Sequence, residues 1–183
     1  MSRFQIHDNL TAPDGSRAVV DGIVSVGGRL PNFIGVLAGS PAALRAYARC
    51  RAELRHGRLS VVTLERIALA IAEHHQTRQG IALHHRAASA AGLGLDEIAL
   101  ARRFDSADER EATLLRYLRA LIQNPGSPPM YLHEEAREAG WSDEEILEAI
   151  SYSALETLTA MINLAGDVPA DGVPEQPITL CAA

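Results

Sequence analysis

The 183 residues suffice for one domain with a substantial core and are too few to expect two. Aromatics are only 4% while Ala and Leu abound, which disfavours the inner faces of a sandwich or barrel and favours helix-on-helix packing. The formal net charge is −6 and all 17 cations are Arg, scattered among Glu and Asp, which excludes a clustered nucleic-acid footprint, a Schiff-base lysine and a P-loop lysine.

In chain order, MSRFQIHDNLTAPDG lacks the apolar stretch of a signal peptide, and Val19–Val26 reads as a short helix or a strand ended by Gly27-Gly28. From Leu30 the pattern is helical. Ser40 at the N-cap and Pro41 at the first helical position open a helix running to about His56. The next, about 60–75, carries the apolar run Ile67 to Ala72; a helix apolar nearly all round is central and buried. A helix over 78–91 closes at Gly92, and a short one follows at about 95–103.

Ser106-x-x-Glu109 and Ser142-x-x-Glu145 both match a capping box, predicting helices at about 107–123 and 143–165. Between them Ser127-Pro128-Pro129 opens a helix ending at Gly140. After Gly166, with Pro169, Pro174 and Pro177, the chain reads as an extended arm. The organisation is thus an N-terminal segment 1–29, a helical domain 30–166 and a Pro-containing arm 167–183.

His85–Ile98 and His133–Ile146 align without gaps at an offset of 48. Each reads as a helix, a Gly-ended turn and a second helix. Two such hairpins around a core helix predict an all-α antiparallel bundle. Cys50 and Cys181 have no partner nearby in sequence, so neither a disulfide framework nor a Cys-based zinc site is expected. No apolar run approaches the ~18 residues that span a bilayer, and a cytoplasmic location with no membrane or nucleic-acid partner is the expectation.

The chemistry-bearing segment is Leu64–Gly92. Glu65 precedes an apolar run, where a carboxylate must be paired or protonated. Thr77, Gly80 and His84 share one helix face, and the first turn there offers free N–H groups to an anion. His74 and His75 complement a helix C-terminus, and His75 is also a candidate for substrate binding. His85 and His133 occupy matching repeat positions and read as structural. The adjacent pairs 74/75 and 84/85 point about 100° apart around a helix, unlike the His-x3-His spacing of helical zinc sites, so no metal is expected.

The spacing Glu65-x11-Thr77-x2-Gly80-x3-His84 resembles the Glu-x11-Cys-x2-Cys-x3-His pattern of the alkylhydroperoxidase-D-like family, in one superfamily with carboxymuconolactone decarboxylase. Leu30–Tyr47 is similar to that family's stretch before the core helix, and Ala139–Asp171 to the C-terminal hairpin of its peroxidase-related branch. The resemblance implies an alkylhydroperoxidase-D-like fold and a homo-oligomer, trimer or hexamer. It implies catalytic roles for Glu65 and His84; Thr77 and Gly80 match the family pattern by location only, with Thr77 a third catalytic candidate and Gly80 and His75 the candidates for substrate binding.

Thr77 and Gly80 stand where redox members carry thiols, so dithiol chemistry is not implied. The expectation is a carboxymuconolactone decarboxylase-like enzyme performing acid–base decarboxylation or isomerisation on a small anionic substrate, without a cofactor. The alternatives are an alkylhydroperoxidase activity using Cys50 or Cys181, and a non-enzymatic oligomer that binds a small ligand.

Overall fold

Ser60 starts the element around which the others assemble: its hydroxyl accepts from the Thr63 N–H at 3.0 Å and caps α4 (Val61–His74). Ile67, Leu69 and Ile71 of α4 are almost wholly buried. Each contributes roughly 1.5–3 kcal/mol of hydrophobic burial. The computed structural model describes residues 2–27, 29–124 and 126–171. Among these, every regular element is a helix.

The nine are α1 (Asp14–Gly27), α2 (Asn32–Leu37), α3 (Pro41–Arg55), α4, α5 (Arg78–Ala90), α6 (Leu95–Ala101), α7 (Glu109–Gln123), α8 (Met130–Glu138) and α9 (Asp143–Gly166). Helix α4 packs on α5 and α9, with α6 against its other side, and α3 and α7 lie against α9. The main core joins Ile67, Ala68 and Ile71 of α4 to Leu114, Leu115 and Leu118 of α7 and Tyr152 and Leu155 of α9. A smaller one closes Leu69 against Ala88, Leu93 and Ile98.

The 48-residue repeat is a repeat of backbone. Helices α5 and α8 end 48 residues apart, at Ala90 and Glu138, and α6 and α9 begin 48 apart, at Leu95 and Asp143. The turns match bond for bond: Leu93 N–H donates to the Ala88 carbonyl at 3.0 Å, and Trp141 N–H to that of Ala136 at 3.1 Å. Gly92 and Gly140 take φ of +97° and +94°, a left-handed turn that only glycine enters without strain. The correspondence reaches further back, since α4 and α7 begin at Val61 and Glu109, again 48 apart.

Three boundaries differ from expectation. Val19–Val26 falls within a helix, α1, which starts at Asp14 and packs on α3. Ser106 does not cap α7: it accepts from the Asp108 N–H at 3.1 Å, and Asp108 caps the helix by accepting from Arg110 N–H at 2.9 Å. A left-handed Phe104 (φ +59°) turns the chain just before this point, and the nearer Asp takes the orphan donor. Helix α8 begins only at Met130, because a residue preceding proline is held extended and Ser127-Pro128-Pro129 therefore cannot coil. At α9 the expected capping box forms, with Ser142 and Glu145 bonding each other's backbone N–H groups.

Residues 168–171 return to α2, where Asn32 donates from its backbone N–H to Asp171 at 2.7 Å and from its side chain to the Pro169 carbonyl at 3.0 Å. The arm beyond Asp171, with Pro174, Pro177 and Cys181, lies outside the described residues. No helix among the described residues is long and apolar enough to cross a membrane.

Candidate active site

Helices α4, α5 and α9 meet at a buried imidazole. His84 sits two turns into α5 facing α4, and its Nδ1 lies 2.9 Å from Glu65 Oε2. Its Nε2 lies 3.5 Å from Oε2 of Glu156 on α9, and the other oxygen of Glu156 accepts from Arg51 Nη1 at 3.2 Å. The side chains of His84 and Glu156 are 6% and 5% exposed. A chain of alternating charge, Glu65–His84–Glu156–Arg51, thus runs through three helices of the core and ends on α3.

Burial is the strongest influence on His84 and disfavours its charged form. Hydrogen bonding and attraction from Glu156 and Glu65 nevertheless outweigh it and hold the imidazolium up to about pKa 9. Burial likewise pushes Glu156 toward the neutral acid, but His84 and Arg51 reverse this and its pKa is lowered. Two tyrosines complete the surroundings: burial, helped by the charge of Glu156, raises the hydroxyl pKa of both Tyr152 and Tyr47. At neutral pH His84 is a cation.

This cluster forms one wall of a cavity of about 350 Å³. Such a volume lies near the lower end of small-molecule sites, roughly 300–1,000 Å³. Phe33, Ile34, Ala68, Ala72, Leu83 and Ala160 belong to the apolar lining of the cavity, and Pro31 and Pro169 to Asp171 also line it. Three cationic side chains (Arg51, His84, Arg86) and two carboxylates (Glu156, Asp171) line the cavity, and Glu65, bonded to His84 from outside the lining, brings these charges into balance.

The structure brings Glu65, Thr77, Gly80 and His84 into one neighbourhood. Thr77, Gly80 and His84 line the cavity, while Glu65 holds His84 from outside the lining. Thr77 occupies the N-cap position of α5, but its hydroxyl donates back to the Ala72 carbonyl at 3.2 Å and makes no cap bond. The first-turn N–H groups of α5 are therefore left without a side-chain acceptor. Gly80 is small of necessity: a Cβ there would stand 2.6 Å from Thr77 Oγ1 and 3.2 Å from Ala72 Cβ. A second thiol would collide with Thr77 as it sits.

His75 is not among the lining residues; it caps α4, its ring tilted against His74, with burial and the neighbouring His74 lowering its pKa. Its Nε2 is buried without a partner among the described residues. Cys50 is exposed on α3 and also lies outside the lining. No group of three or more metal-binding side chains is gathered among the described residues.

Sequence reasoning missed Glu156 and Arg51. Glu156 carried a signal, as the lone carboxylate between Ala149 and Gly166 of α9, where burial demands a partner. Arg51 carried none, being one of four arginines on α3.

No family model matches the sequence, and no curated protein is a significant match. Solved structures do match over most of their length. A peroxidase-related protein with an alkylhydroperoxidase AhpD core, from Ralstonia eutropha JMP134, is 19% identical with a TM-score of 0.75 over 93% of each chain. A peroxidase-related protein from Silicibacter sp. TM1040 is 16% identical with a TM-score of 0.74 over 88% of this chain and 87% of its own. A cysteine-to-alanine variant of the debrominase Bmp8, in complex with 2,3,4-tribromopyrrole, is 17% identical with a TM-score of 0.75 over 94% and 93%. The chain has the alkylhydroperoxidase-D-like fold that its sequence pattern resembles.

Proposed function

We propose that this protein is an acid–base enzyme of the carboxymuconolactone decarboxylase kind, protonating the enolate of a small, largely apolar organic acid, with His84 as proton donor. The observation that carries this reading is a buried histidine set between two carboxylates, 2.9 Å from Glu65 and 3.5 Å from Glu156, on the wall of a mostly apolar cavity. The two contacts of His84 differ in strength. At 2.9 Å the Glu65 bond fixes the ring, whereas Glu156, at 3.5 Å and on the cavity wall, keeps Nε2 charged through a longer contact that a substrate atom can replace.

In a decarboxylation, the bond to the departing carboxylate breaks, its electron pair enters the conjugated carbonyl, and CO2 leaves. The dienolate carbon then takes the Nε2 proton, and water restores the imidazolium. In an isomerisation, the imidazolium gives its Nε2 proton to one carbon of the conjugated system, and the neutral imidazole so formed takes a proton from another carbon, which restores the imidazolium. The uncapped N–H groups at the start of α5 stabilise the enolate oxygen in either case. Thr77 and Gly80 shape that end of the cavity. A debrominase of the same fold takes a halogenated pyrrole, which supports a small planar substrate here too.

The test is turnover of a panel of lactones and β-keto acids by wild type and His84→Gln. The reading expects turnover by wild type and a loss of 100-fold or more in the variant. Equal rates in the two proteins, or no turnover of any panel member by wild type, would overturn it. Assembly as a trimer or hexamer belongs to the same reading, and the exposed Leu147, Leu158 and Met161 of α9 give copies an apolar face. Analytical ultracentrifugation measures it, and a monomer at micromolar concentration contradicts it.

A further inference from the structure

We infer that Arg51 is the specificity-determining residue of the cavity, and that its occupant is a small, otherwise apolar acid anchored by a carboxylate that it keeps through the reaction. The inference rests on the acid–base reading of the site and adds the substrate class to it. Arg51 on α3 lines the cavity together with mostly apolar side chains and the polar group around His84, and its side chain is 29% exposed. One edge of the guanidinium is fixed: Nη1 donates to Glu156, and the group lies 6.0 Å from the centre of the Tyr47 ring. Glu156 is the one carboxylate within ion-pair distance of Arg51 among the described residues, and it is shared with His84. The remaining guanidinium N–H groups meet no other carboxylate among the described residues.

A planar cation anchored along one edge and open along the other is the geometry that receives a carboxylate through two parallel hydrogen bonds. Glu156 therefore orients Arg51 and also spaces it from His84, since the two oxygens of one carboxylate join the two cations. A substrate carboxylate on the open edge of Arg51 places carbon atoms a few bonds away beside Nε2 of His84. Pairing with a guanidinium stabilises a carboxylate against leaving as CO2, so the anchored group is one that survives, and the class is a monocarboxylate undergoing proton transfer or a dicarboxylate losing its other carboxylate.

The test uses benzoate and its neutral isostere benzamide as probes, with titration calorimetry on wild type, Arg51→Met and Arg51→Lys. The expected result is benzoate binding to wild type at least tenfold more tightly than benzamide. In Arg51→Met the preference disappears, while a benzamide affinity equal to that of wild type shows that the cavity is intact. In Arg51→Lys, which retains charge but not the fork, benzoate affinity falls between the two. Without any variant, benzoate and not benzamide should protect Arg51 from phenylglyoxal, read by peptide mass spectrometry. Equal affinity of wild type for both probes, unchanged benzoate binding in Arg51→Met, or no protection would overturn the inference. These arms read binding alone, so failure of His84 chemistry leaves them unchanged, and their failure leaves the His84 turnover test standing.

Discussion

Replacing Glu156 with Gln keeps the size of the side chain and removes the charge that His84 and Arg51 share. In the folded protein His84 is raised from an ordinary 6.5 to about 9. At 1.36 kcal/mol per pH unit this is worth about 3 kcal/mol of stability. Because the folded pKa is the higher one, that contribution is fully present below pH 6.5 and is lost as pH rises toward and through 9. A unit charge about 4 Å away at an effective dielectric near 20 attracts by about 4 kcal/mol, so Glu156 can supply most of the effect against the opposing burial. With Glu65 left alone, less than half should remain, about 1 kcal/mol or less.

The assay is urea unfolding of wild type and Glu156→Gln at half-unit steps from pH 6 to 10. Wild type should lose about 2 kcal/mol more than the variant across that range. Glu156 itself, with its pKa lowered, contributes stability that is lost only in acid below its ordinary value of 4.5, outside the window. The variant should also be weaker at pH 6, because Arg51 loses its counter-charge. Arg51 reaches the cavity, so the cost falls below the roughly 3–5 kcal/mol of a fully buried broken pair. Parallel pH profiles would refute the reasoning, since they would mean that Glu156 does not hold the proton on His84.

Other outcomes follow from the same geometry. Gly80→Ala should destabilise, because about 1–3 kcal/mol of overpacking against Thr77 outweighs about 1 kcal/mol of helix propensity; Thr77→Ala/Gly80→Ala should recover most of the loss in melting temperature. Gly92→Ala and Gly140→Ala should each cost about 1–2 kcal/mol in urea unfolding and add in the double variant, since both break the same left-handed turn in separate hairpins. Ser142→Ala should cost about 1 kcal/mol through loss of the α9 cap, measurable as a lower urea midpoint with unchanged slope. Cys50→Ser should leave turnover and peroxide consumption unchanged, because the thiol lies outside the cavity lining.

Local chemistry was legible from the sequence, and contacts across helices were not. Ser40, Ser60 and Ser142 accept from N–H groups three residues on, and the two glycine turns recur at the predicted offset, because caps and turns are decided within a few residues. The capping box at Ser106 misled because two candidate acceptors, Ser106 and Asp108, lie within one turn, and the backbone at Phe104 decides between them. The helical spacing of Thr77, Gly80 and His84 put all three on the cavity, and the apolar run after Glu65 announced that its carboxylate needed a partner. Glu156 and Arg51, 105 residues apart in sequence, reach the site through the way α3 and α9 pack. Spacing within one helix carries no record of that packing.

The most direct measurement is an NMR titration of the His84 ring in the wild-type protein, assigned by comparison with His84→Gln. An imidazolium is expected throughout the neutral range, titrating near 9. A His84 that titrates at or below 6.5 would contradict it, leaving the cavity without a stored proton to deliver.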